Sequence, residues 1–219
     1  MFRAVVFDLW GTLVTPPRHA FDDFRRAWSE ALDVPAGRLD EVWLDADGYR
    51  RRETGPIRDA IVDVGERLAI EIEIEAVLAL RLAFMRDVLV PDDGVIETLV
   101  ELRRRGIPTA LVSNSTEDVA LVWAETPFAG LLDPAVFSAT AGFMKPDREI
   151  YELALRQLPV AASETLFVGD GANDELEGAR VVGMTPVLVQ SGVDPQWDGL
   201  EDWQGRRIAS IPEVLDLVA

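Results

Sequence analysis

Five short runs of apolar, largely β-branched residues alternate with helical patterns through most of this 219-residue chain, and that alternation restricts the fold more than any other feature. The runs are RAVVFDL (3–9), PTALVSN (108–114), AVFSA (135–139), TLFVGD (165–170) and TPVLVQ (185–190). None shows the polar alternation of a half-exposed strand, so each predicts a strand covered on both faces, the condition of a parallel sheet. Between and around them lie VIETLVELRRRG (95–106), which ends in basic residues and a glycine, then TEDVALVWAE (116–125), DREIYELALRQL (147–158) and NDELEGARVVG (173–183). The last three open with a capping or acidic residue, which suits the positive end of a helix dipole. The pattern predicts a doubly wound parallel α/β sheet with helices on both faces.

Residues 15–89 break the alternation. They read as helices only, which predicts a helical insertion at 15–89 in a core built from 1–14 and 90–219, with Pro16-Pro17 and Pro91 at the junctions. AIEIEIEAV (69–77) alternates like a strand, but among helices it reads as the junction of two of them.

Composition narrows the partners. A net charge of −18 disfavours a nucleic-acid groove, since phosphate backbones require a basic surface. No apolar run approaches the length that spans a bilayer, no leader-like segment opens the chain, and there is no cysteine for a disulfide or a thiolate metal site. These readings point to a cytoplasmic protein that binds a small molecule, as a monomer or a homodimer. Of the 21 basic residues only Lys145 is a lysine. Where surface charge alone is needed this chain uses arginine. The one lysine therefore suggests a site for a compact ammonium that a planar guanidinium does not fit, although codon bias would also account for it.

In a doubly wound sheet, ligands bind beyond the carboxyl ends of the strands. That edge receives Asp8, Ser113-Asn114, Lys145, and Asp170 with Asn173-Asp174. One strand-end acid is commonly a helix cap; four polar clusters at successive strand ends imply a site.

FDLWGTL, LVSNST, FMKPDREIY and VGDGANDELEGA resemble, in order, the four motifs of the haloacid dehalogenase superfamily. The resemblance covers essentially the whole chain and implies a Rossmann-like core with an inserted helical cap. It implies that Asp8 is a nucleophile forming a covalent aspartyl intermediate, and that Ser113 and Lys145 hold the oxygens of the transferring group. Gly11, Thr12, Asn114, Trp10 and His19 are the expected substrate contacts. Mg²⁺ would be bound by Asp8, the carbonyl of Trp10 and Asp170, with Asp174 on a metal-bound water; hard oxygen ligands suit that ion.

The departure from the family pattern is Trp10. Family phosphatases carry there a second aspartate that protonates the leaving group, help worth about 10²- to 10⁴-fold; the family's dehalogenases carry an aromatic residue. The expected activity is a Mg²⁺-dependent phosphohydrolase acting on a small phosphorylated metabolite. A metal-independent 2-haloacid dehalogenase and a phospho-ligand-binding pseudoenzyme are the alternatives. Charge favours the first: Asp8, Asp170 and Asp174 with Lys145 sum to −2, which Mg²⁺ neutralises and a haloacid anion would worsen.

His19, the only histidine, reads as an exposed residue in the first turn of a helix, with surrogate acid–base work as its functional alternative. In YRRRETG (49–55), two arginines read as solvated and one as able to reach the cleft. Trp197 and Trp203 read as part of a glycine-rich surface loop.

Overall fold

The computed structural model describes residues 1–17, 19–190, 200 and 203–219; Trp197 lies outside them. Six strands form one all-parallel sheet: β1 Ala4–Phe7, β2 Thr109–Ser113, β3 Ala135–Phe137, β4 Thr165–Gly169, β5 Thr185–Val189 and β6 Arg206–Ile208. Their order is β3-β2-β1-β4-β5-β6. The period of two along each strand divides the core into two sheets of side chains. Val5, Phe7, Leu111, Leu166, Val168 and Val187 join a cluster on one face. Ala4, Val6, Ala110, Val112, Phe167 and Leu188 join a cluster on the other. With both faces covered, every strand position is apolar, which is why the runs show no alternation in sequence.

The second face is closed by α9 (Arg148–Leu155) and α10 (Glu175–Val181), through Ile150, Tyr151, Ala154, Leu176 and Ala179. The first is closed by α6 (Val95–Arg104) and α7 (Glu117–Val122), through Leu99, Leu102, Val119 and Val122. Two expectations are corrected here. The run 135–139 is strand only as far as Phe137; Ser138–Ala141 turns into a short helix, α8. There the buried Ser138 hydroxyl accepts from the Ser115 N–H at 2.9 Å. The sixth strand, with the sequence RRI, was not legible, because it is three residues long and two of them are exposed arginines.

Residues 20–88 form five helices: α1 Ala20–Ala31, α2 Ala36–Trp43, α3 Ala46–Glu53, α4 Ile57–Leu68 and α5 Ile74–Val88. They have an apolar cluster of their own, with Phe24, Trp28, Leu39, Trp43, Ile61 and Val64 among its members. Its centre is aromatic: Trp28 meets Trp43 edge-on at 4.8 Å and Phe24 stacks on Phe84 at 4.3 Å. The alternating segment resolves as expected, since α4 ends at a left-handed Ala69 and α5 starts at Ile74.

The helical layer is fastened to the sheet layer mainly along α5 and α7. Arg81 lies 2.7 Å from Asp118, both buried, and donates to the Thr116 hydroxyl at 3.2 Å. Its guanidinium also lies over the rings of Trp43, Phe24 and Trp28. Arg86 adds an exposed bidentate pair with Glu125, and Glu117 accepts from the Ile57 N–H at 2.9 Å.

A buried pair is costly to break from one side, because the remaining charge is left without a partner. Asp118→Ala is expected to lose about 3 kcal/mol by urea denaturation, the low end of the range because three rings still hold the guanidinium. Arg81→Met added to Asp118→Ala should restore most of that loss.

Candidate active site

The strand order reverses between β1 and β4. The chain runs outward from β1 through β2 to β3, then returns to place β4 on the other side of β1. Asp8 follows β1 and Asp170 follows β4, so the two acids flank the crevice where such sheets bind ligands. Asp8 is anchored by its N–H, which donates to the Val168 carbonyl at 2.9 Å. The chain then folds into a tight turn in which the Leu13 and Val14 N–H groups donate to the Leu9 carbonyl, and the Gly11 N–H donates to Val14. Gly11 has φ +74°, and a Cβ there would come within 2.3 Å of Asp170 Oδ2. Position 11 thus needs glycine both for its backbone and for the approach of the second acid.

Lys145 reaches this crevice from the segment after β3. Its own N–H donates to Asn114 Oδ1 at 2.7 Å, and Asn114 Nδ2 donates to the Lys145 carbonyl at 3.1 Å. This reciprocal clamp fixes the backbone from which the side chain extends. The ammonium donates to Asp8 Oδ1 and, at 2.5 Å, to Glu175 Oε2. Burial disfavours the charged lysine, yet the Asp8 and Glu175 carboxylates outweigh it and hold the amine well above its ordinary value.

Glu175 is the residue that sequence reasoning missed. Asp174, expected on the metal-bound water, is exposed and not brought into the crevice, whereas Glu175 is fully buried. The cause lies in the backbone. Asn173 and Asp174 are both left-handed, with φ near +52° and +53°, a conformation that Asn and Asp tolerate better than other non-glycine residues. The chain turns there, and the first residue of α10 faces inward. Glu175 Oε1 accepts from the Gly171 N–H at 3.0 Å, and a Cβ on Gly169 would come within 2.0 Å of that oxygen. Adjacent acids differing by one residue cannot be told apart by motif; the glycine before the first acid, cleared for a carboxylate, was the available signal.

Asp8, Asp170 and Glu175 each offer one oxygen, all within 4.8 Å of one another. With all three acids ionised and Lys145 charged the sum is again −2, with Glu175 in place of Asp174. Burial, and next the charge of Asp8, push the Glu175 carboxyl up to about 8 against the pull of Lys145. Three crowded hard-oxygen donors are the donor set a divalent cation such as Mg²⁺ satisfies.

The crevice opens into a cavity of about 980 Å³ between the sheet edge and the helical layer. Asp8, Trp10, Gly11, Asn114, Lys145 and Asp170 line it. Trp10 is half-buried, edge-on to Phe21 at 5.7 Å. Four expected residues do not line the cavity: Asp174, Thr12, Ser113 and His19. Thr12 and Ser113 are buried, and the Ser113 hydroxyl donates to the Asn114 carbonyl at 3.4 Å. His19 is exposed just before α1, with its ring 3.9 Å from Asp23 one turn on, so the substrate contact expected of it is corrected to a surface position.

The helical layer contributes residues that no motif marks. Arg50 and Arg51 are exposed, near Asp147 and Asp63, while Arg52 is buried and lines the cavity. Its guanidinium lies 4.8 Å from both the Trp43 and Tyr49 rings and donates to the Trp43 carbonyl. Glu53 beside it is also buried and lines the cavity. Burial pushes the Glu53 carboxyl up to about 7, with Asp118 adding to the shift and Arg52 opposing it.

The sequence profile of the haloacid dehalogenase-like hydrolase family matches residues 2–183. The fold is of the doubly wound α/β class with carboxylates clustered at its switch point, and by that match this chain belongs to the haloacid dehalogenase-like hydrolase family. It is 35% identical over 101 residues to a phosphoserine phosphatase of Thermus thermophilus, a match covering 45% of this chain and 40% of that protein. The chain therefore spans less than half the length of that relative. It is 27% identical to the sesquiterpene phosphatase astK of Aspergillus oryzae, covering 84% and 87% of the two chains. An (S)-2-haloacid dehalogenase of Pseudomonas sp. strain YL is also 27% identical, over 99% and 96%. Among solved structures, a phosphatase of the family from Thermococcus onnurineus superimposes with a TM-score of 0.73 at 20% identity, covering 98% and 97%. No described helix is long and apolar enough to cross a membrane.

The raised Glu53 carboxyl has a pH signature. Its folded value lies above its unfolded one, so the folded state holds the extra proton between about 4.5 and 7. The associated stability is fully present below the unfolded value and is lost as pH rises through about 7. Glu53→Gln, which has no proton to lose, should show a flatter pH dependence of denaturation midpoint than wild type over that window. The two should converge at its acid end.

Proposed function

We propose that this protein is a Mg²⁺-dependent phosphohydrolase that works through an aspartyl-phosphate on Asp8, with residues 15–89 as a cap over a core of 1–14 and 90–219. The observation that carries this reading is the cluster of Asp8, Asp170 and Glu175 around the Lys145 ammonium at the switch point. Asp8 attacks phosphorus through a carboxylate oxygen, and the bond to the leaving oxygen breaks. Lys145 stays protonated throughout and neutralises charge on the transferring group, helped by the Asn114 clamp that fixes its stem. Water then cleaves the aspartyl-phosphate and returns Asp8 as a carboxylate. Mg²⁺, when bound, supplies charge neutralisation among the carboxylates and the phosphoryl oxygens. Asp8, Asp170 and Glu175 would hold it, with the Trp10 carbonyl as a further ligand.

Trp10 leaves no acid at the position from which family phosphatases protonate the leaving group. Alcohols that leave readily should therefore react fastest. The apolar walls of the cavity fit an organic phosphate with a sizeable carbon body, and a relative named as a sesquiterpene phosphatase agrees with that.

The second reading is a 2-haloacid dehalogenase, favoured by the aromatic residue at position 10 and by the nearly full-length dehalogenase relative. The net −2 of the crevice weighs against it, since a haloacid would add a further negative charge among buried carboxylates.

A panel of phosphate monoesters and 2-haloacids, with and without Mg²⁺, tests the choice. Aryl and acyl phosphates should outrun alkyl phosphates by at least about 10²-fold, the low end of what a general acid supplies. Asp8→Asn should remove all turnover while the circular dichroism spectrum stays unchanged. Halide release independent of metal would establish the second reading instead.

Metal binding should also be visible without turnover. The melting temperature should rise with millimolar Mg²⁺ by mass action, and Asp170→Ala should remove that response.

A further inference from the structure

The cap side of the cavity has a charge ledger that selects its ligand. Arg52 is stacked between Trp43 and Tyr49 and faces Glu53 at 3.7 Å. Arg81 is matched by Asp118 at 2.7 Å, and although its Nε finds no acceptor among the described residues, its charge is already compensated. Arg25 is shared between Asp22 and Asp40, and Lys145 between Asp8 and Glu175. Among the described residues every cation lining the cavity therefore has a carboxylate partner, and none of them is available for a second anionic group on a ligand. A cation near Glu53 would be placed beside the guanidinium groups of Arg52 and Arg81, which already lie over the Trp43, Tyr49 and Phe24 rings.

One polar group is left over. Glu53 Oε2 is buried and, among the described residues, receives no hydrogen bond. The residue is 8% exposed and lines the same cavity as Asp8. A buried oxygen without a donor costs about 1–3 kcal/mol, a cost that a ligand donor removes. In the same cavity Trp43, Phe24, Phe84 and Phe21 supply apolar wall.

We propose that Glu53 and these rings form the leaving-group subsite, and that it selects an uncharged, mainly apolar alcohol carrying a second hydroxyl that donates to Glu53 Oε2. This rests on the phosphohydrolase reading for the phosphate end, and it adds the chemistry of the other end. The charged or titratable groups that face Glu53 are Arg52 and Tyr49 on its own helix, Arg81 on α5, Asp118 on α7 and Lys145. Since the carboxyl ionises near pH 7, a ligand hydroxyl meets a neutral acid below that pH and a carboxylate above it. Hydrogen bonds to a charged acceptor are the stronger, so the preference for the hydroxyl grows as pH rises through 7.

The probes are a chain-length series of straight alkyl phosphates, each compared with its terminal-hydroxyl, terminal-amino and terminal-phosphate analogues. Binding is measured by calorimetry on Asp8→Asn, and phosphate release on the wild-type active site. At the chain length that reaches Glu53, the terminal hydroxyl should improve affinity about tenfold over the methyl end, as expected for a hydrogen bond to a charged group. The amino and bisphosphate analogues should bind no better than the methyl one. Glu53→Leu in the same background should abolish the hydroxyl preference.

Should Glu53→Leu not fold, the isosteric Glu53→Gln carries the test: it should keep a hydroxyl preference but lose its rise across pH 7. Tighter binding of the bisphosphate or amine, or a hydroxyl preference that neither substitution alters, overturns the proposal. Hydroxyl-selective binding with no phosphate release by wild type from these probes or from aryl and acyl phosphates overturns the phosphohydrolase reading and leaves the subsite standing. Phosphate release with no dependence on Glu53 does the reverse.

Discussion

The buried ammonium of Lys145 is the interaction on which the site depends. It bridges Asp8 and Glu175, acids contributed by segments more than half the chain apart. Without a cation between them, these carboxylates and Asp170 would repel one another in a region shielded from water. Much of the surrounding structure serves this one group. Asn114 clamps its backbone, the glycines at 11 and 169 clear space for the carboxylates around it, and Tyr151 donates to the Glu175 carbonyl at 2.9 Å. Gly178 in turn lets the Tyr151 ring lie against α10, since a Cβ there would come within 2.6 Å of its hydroxyl.

The solitary lysine was visible in composition, and its place at a strand end was visible in the alternation. Residues that obey a local rule were readable in the same way: the strands around Asp8, Ser113 and Asp170 are short apolar runs, and the helices after them open with acids. Other residues follow no local rule. β6 is two exposed arginines and the buried Ile208, and it pairs with the edge that β5 offers. Glu175 rather than Asp174 turns inward because two residues adopt left-handed geometry, a choice that tertiary packing makes and a motif cannot. One arginine of 50–52 was expected to reach the cleft, but only the three-dimensional neighbourhood reveals that it is Arg52 and that Glu53 and Arg81 are buried with it.

The same contrast separates the two halves of the site. The chemistry at the sheet edge comes from residues next to strand ends, where backbone hydrogen bonds fix positions tightly. The cavity wall comes from helices with their own aromatic cluster, joined to the core through Arg81 and a few exposed pairs. A wall built this way can change its lining without disturbing the carboxylates. Relatives named for different substrates and even a different reaction are consistent with such a division of labour.

The position of β1 has a consequence for how the molecule is made. Asp8 stands at the end of the first strand, yet that strand's partners are residues 109–111 on one side and 165–168 on the other. During synthesis the central strand therefore waits, unpaired, while the helical segment and the first neighbouring strand emerge. It gains its second neighbour only after three-quarters of the chain exists. Pairings this distant in sequence are slow to form and leave apolar edges exposed meanwhile. The Asp8 carboxylate thus lacks its charged neighbours, by topology, until Glu175 has been added, because these groups do not meet before the sheet closes around β1.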